Sequence, residues 1–453
     1  MSVDQRSAHQ TEQLNRSITG RLLFFYVLGD VLGSGIYALV GIMAAEVGGA
    51  FWTSFLVGIT VALLTGFAYA ELITKYPQAA GAALYVNKAF KNNFLTFTVT
   101  FCMLSASIAA AGALALVFGG DYFQSFIELP TTWVAIGFIV LLALLNFRGI
   151  SESVWATVIM TLIEFTGLII VLLVGAVVLG NGDANLSQPF QFNEGNTALV
   201  VLGGAAVAFF AMTGFENAAN VAEETHNPSK VFPRALIGGM AVAGLLYLLV
   251  SFTASMVAPV GRLAESESAL LEVVKAGPIP IPALVFSAIA LVAVTNTTLV
   301  ALVAQSRIMY GMARQGVVPR VFSRTHSSRR TPWVAIVFCT AVVLVLLVTA
   351  DVTKLANVTV LFLITVYGLV CAAALVLRRD SVNHSHYTAP TALLYGGVAL
   401  NVALLAYTAF TEPEALLYCG AMLLVGGALY VVNKFVLGKS PQEEPDESYQ
   451  QVD

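Results

Sequence analysis

The sequence predicts an all-α integral membrane protein of about twelve transmembrane helices. Three observations carry this. Hydrophobic residues make up 58% of the 453 residues and charged residues 11%, whereas soluble domains carry roughly 25% charged residues. No Asp, Glu, Lys or Arg occurs in 47–70, 92–120, 129–147, 195–215, 235–261, 276–306, 331–350, 355–377, 381–411 or 415–433. Each gap is near or above the roughly 20 apolar residues that a helix needs to cross the hydrocarbon. Two more apolar stretches, 22–45 and 153–182, are each interrupted by one acid. A soluble alternative would need ten or more wholly apolar helices in one domain.

Orientation follows from Lys and Arg. With the N-terminus inside and the spans alternating, 19 of the 22 fall in inside segments, and only Arg262, Lys275 and Lys354 fall outside. That asymmetry predicts cytoplasmic termini in a cell membrane, most naturally a bacterial inner membrane. The net charge of −4 adds little, because acids contribute weakly to topology. The first twenty residues are polar, and the apolar stretch after Arg21 is too long for a signal peptide. The tails, 1–20 and 438–453, read as short disordered ends. Cys102, Cys339, Cys371 and Cys419 all fall inside spans and read as buried thiols rather than disulfides. No metal-ligand spacing occurs; His384 and His386 read as solvated loop residues.

Two spans carry candidate breaks. Span 1 clusters Gly29, Gly33 and Gly35 around Ser34, and span 6 has Thr213-Gly214 at its middle. For span 1 alone, close packing through small residues is an equal reading. The pairing changes the weight. Each break falls in the first span of a five-span block, and the blocks run in opposite directions. Paired interrupted helices in corresponding positions point to the binding site of a transporter. A break exposes N–H groups of one polarity and C=O groups of the other, and an amino acid zwitterion needs both. Its carboxylate would sit on the amides of Ser34, Gly35 and Ile36, with Gly35 allowing close approach to the backbone. Its ammonium would face carbonyls near Phe210, Ala211 and Thr213.

Away from span ends, only Asp30, Glu164 and Glu216 carry charge, and no Lys or Arg joins them. Such residues mark ion or substrate paths; the plainer reading is a protonated acid bonded to backbone. Glu164 shares a helix face with Thr157, Thr161 and Gly167. Glu46 and Glu71 end their spans and read as structural.

Four ordered stretches, GDVLGSGIYALVG, FAYAELITKYPQAAGAALYV, FFAMTGFENAANVAEETHNPSKVFPRAL and SRIMYGMARQGVVP, resemble the amino acid–polyamine–organocation superfamily. The likeness covers roughly residues 20–435. It implies a leucine-transporter-type fold: inverted five-helix repeats at 21–180 and 195–378, with two additional helices in 388–437. It also implies alternating access around a site between spans 1, 3, 6 and 8. By position, Ser34 and Gly35 match the carboxylate-binding turn, and Phe210 the aromatic that closes over substrate. Ser105, Ala109 and Ala301 match side-chain pocket positions. In sodium-coupled relatives an ion site is built at positions matching Gly29, Leu32, Thr297 and Thr298. In several proton-coupled relatives a lysine stands where Glu164 stands here.

The function expected is secondary active transport of neutral or cationic amino acids, with acidic ones excluded by like charge. Proton coupling is expected through Glu164, with Asp30 and Glu216 as alternatives or partners, and sodium as the other candidate ion. An antiporter of cationic amino acids or polyamines is a variant of this reading. A membrane sensor would normally bring a sizeable soluble domain, which this sequence does not show. A channel is the remaining transport class. No nucleophile elbow, Walker loop or His/Cys cluster points to an enzyme. Neither cofactor nor nucleic acid is expected; the expected partners are the bilayer, the small-molecule substrate and the coupling ion.

Overall fold

A computed structural model describes residues 18–78, 81–148, 154–222, 225–327, 329 and 331–436, the side chains of 154–158 and 220 excepted. In hydrocarbon, backbone groups find no water, so apolar stretches of this length fold as helices. Each of the twelve apolar stretches does so. The first is divided into α1 (Gly20–Leu32) and α2 (Gly35–Val47). Then come α3 (Trp52–Lys75), α4 (Gly81–Phe90), α5 (Asn93–Gly119), α6 (Asp121–Gln124), α7 (Thr131–Phe147) and α8 (Val154–Asn181). The later part holds α9 (Thr197–Ala211), α10 (Pro228–Val257), α11 (Val260–Glu265), α12 (Ala269–Ala276) and α13 (Ala283–Arg314). It ends with α14 (Trp333–Thr349), α15 (Val352–Leu377), α16 (Thr391–Thr411) and α17 (Pro413–Val431). Among the described residues there is no strand, only an isolated bridge between Ile18 and Thr225.

With α1 and α2 taken together, ten of these segments are long and apolar enough to cross a membrane. Helices α7 and α14 have 17 residues each, about 25 Å at 1.5 Å per residue, against a hydrocarbon core of about 30 Å. The tails assigned to 1–20 and 438–453 lie outside the described residues, apart from 18–20.

Charge-free gaps locate the helices but not their ends. Helix α10 begins seven residues before its gap, with Lys230 and Arg234 in its opening turns, and α13 runs on to Arg314. The charges mark where a helix leaves the hydrocarbon. For the same reason α4, α11 and α12 are invisible to the gap pattern: each carries Lys, Arg or Glu.

Helices α1–α2 and α5 are the most buried segments, and α17 the most exposed. Helix α10 packs along α3 and α1, α2 packs on α9, and α5 lies between α13 and α15. All four cysteines are buried and free.

At the end of α3 a polar knot ties the bundle together. Glu71, 1% exposed, accepts from Arg378 Nε at 3.1 Å, from Nη2 at 2.9 Å and from the Ala389 N–H at 2.8 Å. Lys75 Nζ donates to the Leu377 and Asp380 carbonyls, each at 2.6 Å. Tyr76 donates to the Asp380 carboxylate. His384 is exposed, its Nε2 3.3 Å from the Thr74 carbonyl. We refer to this side as the basic face. Removing one partner of a buried ion pair costs about 3–5 kcal/mol. Arg378→Met is therefore expected to lower the melting temperature of the purified protein by several degrees. Lys354→Met, in the exposed pairs with Asp351 and Glu414, should leave it almost unchanged. Equal shifts would contradict the structural role given to Glu71.

Candidate functional site

Helix α1 stops at Leu32 and α2 starts at Gly35, so the first candidate break is a real interruption. Other helices engage its loose backbone groups. The Ser34 N–H donates to Thr297 Oγ1 at 3.2 Å, and Thr297 passes its own hydrogen to the Ala293 carbonyl at 3.2 Å. Tyr247 on α10 donates to the Val31 carbonyl at 2.6 Å. The hydrogen-bond ladder of α2 opens with the Ala38 N–H on the Ser34 carbonyl, at 3.0 Å. The amides of Gly35 and Ile36 precede that bond and carry the positive end of α2. Ser34 Oγ is buried there with no hydrogen-bond partner.

The second break follows α9. Met212, Thr213 and Gly214 form a turn into a 3₁₀ helix, Phe215–Val221. The Phe210 carbonyl accepts both from Thr213 N–H, at 3.2 Å, and from Thr213 Oγ1, at 2.7 Å. Gly214 adopts φ +112°, a conformation that disfavours any side chain. Glu216 Oε2 accepts from its N–H at 2.9 Å.

The two breaks touch backbone to backbone. A Cβ on Gly35 would lie 2.5 Å from Ala211 Cα, and one on Gly214 would lie 2.6 Å from the Asp30 carbonyl oxygen. Gly35 therefore admits the close approach of α9. Gly29 and Gly33 admit two further helices: added Cβ atoms would meet Thr161 Oγ1 on α8 at 1.8 Å and Thr297 Oγ1 on α13 at 2.5 Å.

The three acids form two groups. Glu164 is fully buried; its Oε1 accepts from Asn296 Nδ2 at 3.1 Å, and its Oε2 has no hydrogen-bond partner. Tyr37 on α2 donates to the Glu164 main-chain carbonyl at 2.7 Å and stands against Gly167. Asp30 and Glu216 meet at the other break, where both lie against Gly214 and within electrostatic reach of Tyr367. Tyr367 belongs to an aromatic cluster with Tyr69, Phe209 and Phe215, its ring centroid 5.2 Å from that of Phe215.

The structure thus joins Gly29, Ser34, Gly35, Ala211, Glu164 and Thr297 around one junction, with Asp30 and Glu216 beside it. Leu32 and Ile36 are buried at its edges. Thr298 is buried but bonds its own helix, to the Val294 carbonyl at 2.7 Å. Ser105 and Ala109 are buried on α5, whose chief neighbours are α13 and α15, and no hydrogen bond ties them to the junction. Phe210 is buried, and Ala301 is half-buried one turn beyond Thr297. The Thr157 side chain lies outside those described. Sequence reasoning missed Asn296, Tyr37 and Tyr247. Asn296 was within reach, in the polar run Thr295-Asn296-Thr297-Thr298 of an apolar span. Two cavities, of about 290 and 370 Å³, open on the face opposite the basic one rather than at this junction.

A multi-pass, all-helical bundle with opposed helix ends meeting at its centre has the build of a membrane transport protein. The chain belongs to the amino acid permease family, whose model matches residues 20–425, within the amino acid–polyamine–organocation superfamily. It is 26% identical to the branched-chain amino acid permease BcaP of Bacillus subtilis, over 81% of this chain and 82% of that one. It is 28% identical to the chloroplastic cationic amino acid transporter 9 of Arabidopsis thaliana, over 66% and 55%. With the low-affinity putrescine importer PlaP of Escherichia coli it shares 25% identity over 68% and 69%.

The packing around α1 makes a discriminating prediction. Gly29→Ala collides with a side chain, so a second change, Thr161→Gly, should restore a good part of the folded yield. Gly35→Ala collides with backbone, and Ala211→Gly should not rescue it. Size-exclusion profiles of the four variants decide; rescue of both pairs would refute the backbone contact.

Proposed function

We propose that the chain is a secondary active transporter that carries neutral or cationic amino acids by alternating access and couples their movement to protons. The observation that carries this is the meeting of two helix breaks of opposite polarity in the buried centre of the bundle. Gly35 is packed on Ala211, and Gly214 on Asp30. The substrate carboxylate rests on the Gly35 and Ile36 amides and the unpartnered Ser34 hydroxyl. The Ser34 amide is already held by Thr297. The ammonium faces the Ala211 and Thr213 carbonyls, because the Phe210 carbonyl already accepts twice. Phe210, Ser105, Ala109 and Ala301 line the side-chain pocket in this reading.

Glu164 carries the proton. Its unpartnered Oε2 and its bond to Asn296 support this. Asn296 adjoins Thr297, which holds Ser34, so a change in the Glu164 carboxyl reaches the α1 break through two consecutive residues of α13. A buried carboxyl takes up protons more readily than an exposed one. Sodium at Gly29, Leu32, Thr297 and Thr298 is the competing assignment, weakened because Thr297 Oγ1 already accepts a hydrogen bond. Asp30 and Glu216 form a second acidic pair that shares or relays the charge.

The repeats 21–180 and 195–378 are proposed to be related by inverted topology, with 388–437 as two additional helices. Both termini are assigned to the cytoplasm of a bacterial cell, on the 19 to 3 distribution of Lys and Arg. Relatives named for cationic amino acids and putrescine favour a second reading, exchange of cationic amino acids or polyamines.

Purified protein in liposomes should accumulate labelled alanine or arginine when a pH gradient is imposed, and should not accumulate glutamate. Glutamate uptake equal to theirs would overturn the charge argument, because away from the span ends no Lys or Arg offsets the acids. Glu164→Gln keeps the shape and removes the titration. It should abolish accumulation driven by the pH gradient while substrate exchange across the membrane continues. Undiminished accumulation would transfer the role to Asp30 or Glu216.

A further inference from the structure

The cavity of about 290 Å³ lies where the end of α2, the start of α9, the start of α15 and the end of α16 converge, at the ends of α2 and α9 away from the junction. Its polar wall is built from Glu46, Asn357, Tyr407, Thr408 and Glu412, and no Lys, Arg or His lines it. Three of its oxygens, Glu46 Oε2, Asn357 Oδ1 and Thr408 Oγ1, are closed off from solvent without a hydrogen-bond partner. Asn357 is 2% and Thr408 1% exposed. Tyr407 donates its hydrogen to the Leu199 carbonyl at 2.8 Å, which leaves its oxygen as another acceptor. Glu46 and Glu412 both face this space, so an ionised carboxylate at one disfavours ionisation of the other. Lys354, the nearest cation in sequence to Asn357, is engaged by Asp351 at 3.5 Å and Glu414 at 2.8 Å. A buried set of acceptors whose donors are only the Asn357 amide, engaged with Glu412, and the Thr408 hydroxyl is costly unless a cation completes it.

We propose that this cavity is a second binding site, for a primary ammonium group. An ammonium has three donors and no acceptor, which matches the three unpartnered oxygens, and the carboxyls of Glu46 and Glu412 supply charge of the opposite sign. The volume sits at the lower edge of small-molecule sites, and it exceeds what a bare metal ion held by six to eight close oxygens would fill. Transport through the junction does not require this site, so the inference goes beyond the proposed function. Two sources supply the chemistry: a soluble alkylamine, or the headgroup of an ethanolamine phospholipid.

The test is equilibrium binding of labelled n-butylammonium to the full chain in phosphatidylcholine nanodiscs. Saturable binding is expected, and Glu46→Gln with Glu412→Gln should weaken it at least tenfold. Gly203→Met leaves every charge in place, yet its side chain would start 3.4 Å from Tyr407 Oη and 3.9 Å from Glu46 Oε2. It should block the site by bulk, and Thr408→Val should weaken binding by removing one acceptor. Monodisperse size-exclusion profiles identify the folded variants. Binding that survives in folded Glu46→Gln/Glu412→Gln and Gly203→Met proteins overturns the proposal. So does competition by sodium or calcium chloride that choline chloride of equal ionic strength fails to match. With ethanolamine phospholipid added to the discs, loss of the probe assigns the headgroup as occupant, and retention assigns a soluble amine; either keeps the ammonium site. Failure of amino acid uptake with this binding intact would count against the proposed function alone.

Discussion

Everything at the centre of this protein depends on one constraint: a helix interrupted inside hydrocarbon must find partners for its freed backbone groups. The chain meets it by setting two interruptions against each other and bracing them from three sides. The Thr297 hydroxyl takes the Ser34 amide, the Tyr247 hydroxyl supplies the Val31 carbonyl, and Thr213 closes on the Phe210 carbonyl. The broken first span can lie this close to its neighbours because it presents glycine to each: Gly29 of α1 to α8, Gly33 of the break to α13 and Gly35 of α2 to α9. The same glycines that weaken the helix locally permit the contacts that hold it.

The bracing also distributes charge. Glu164, behind α1, is held by Asn296, and Asp30 and Glu216 sit at the α9 turn. Helix α13 contributes consecutive residues to two tasks, Asn296 to the buried acid and Thr297 to the break. One helix thus contacts both the buried acid and the break through adjacent residues. By contrast, Glu71, buried at the end of α3, is engaged by Arg378 and by the Ala389 N–H. Glu164 differs in having one carboxyl oxygen without a hydrogen-bond partner.

The helices were legible in the sequence because hydrocarbon penalises charge so strongly that its absence marks each one. The breaks at Gly33–Gly35 and Thr213–Gly214 were legible because glycine inside an apolar helix needs a reason. The partners of the breaks were not. Tyr247 and Tyr37 look like ordinary apolar-span tyrosines until tertiary packing aims their hydroxyls at carbonyls, and α11 and α12 carry too much charge to register as apolar segments. Gly35 shows the limit most clearly. Its small size was readable, but its contact with α9 depends on where Ala211 lies, and 176 positions of chain separate them.

The polar knot on the basic face has a mechanical consequence. Glu71 near the end of α3 and Arg378 just past the end of α15 hold each other, and Lys75 bonds carbonyls beyond α15 as well. Pulling these two helix ends apart would strand a carboxylate in a medium of low polarity. They behave as a clasp that ties the end of α3 to the end of α15.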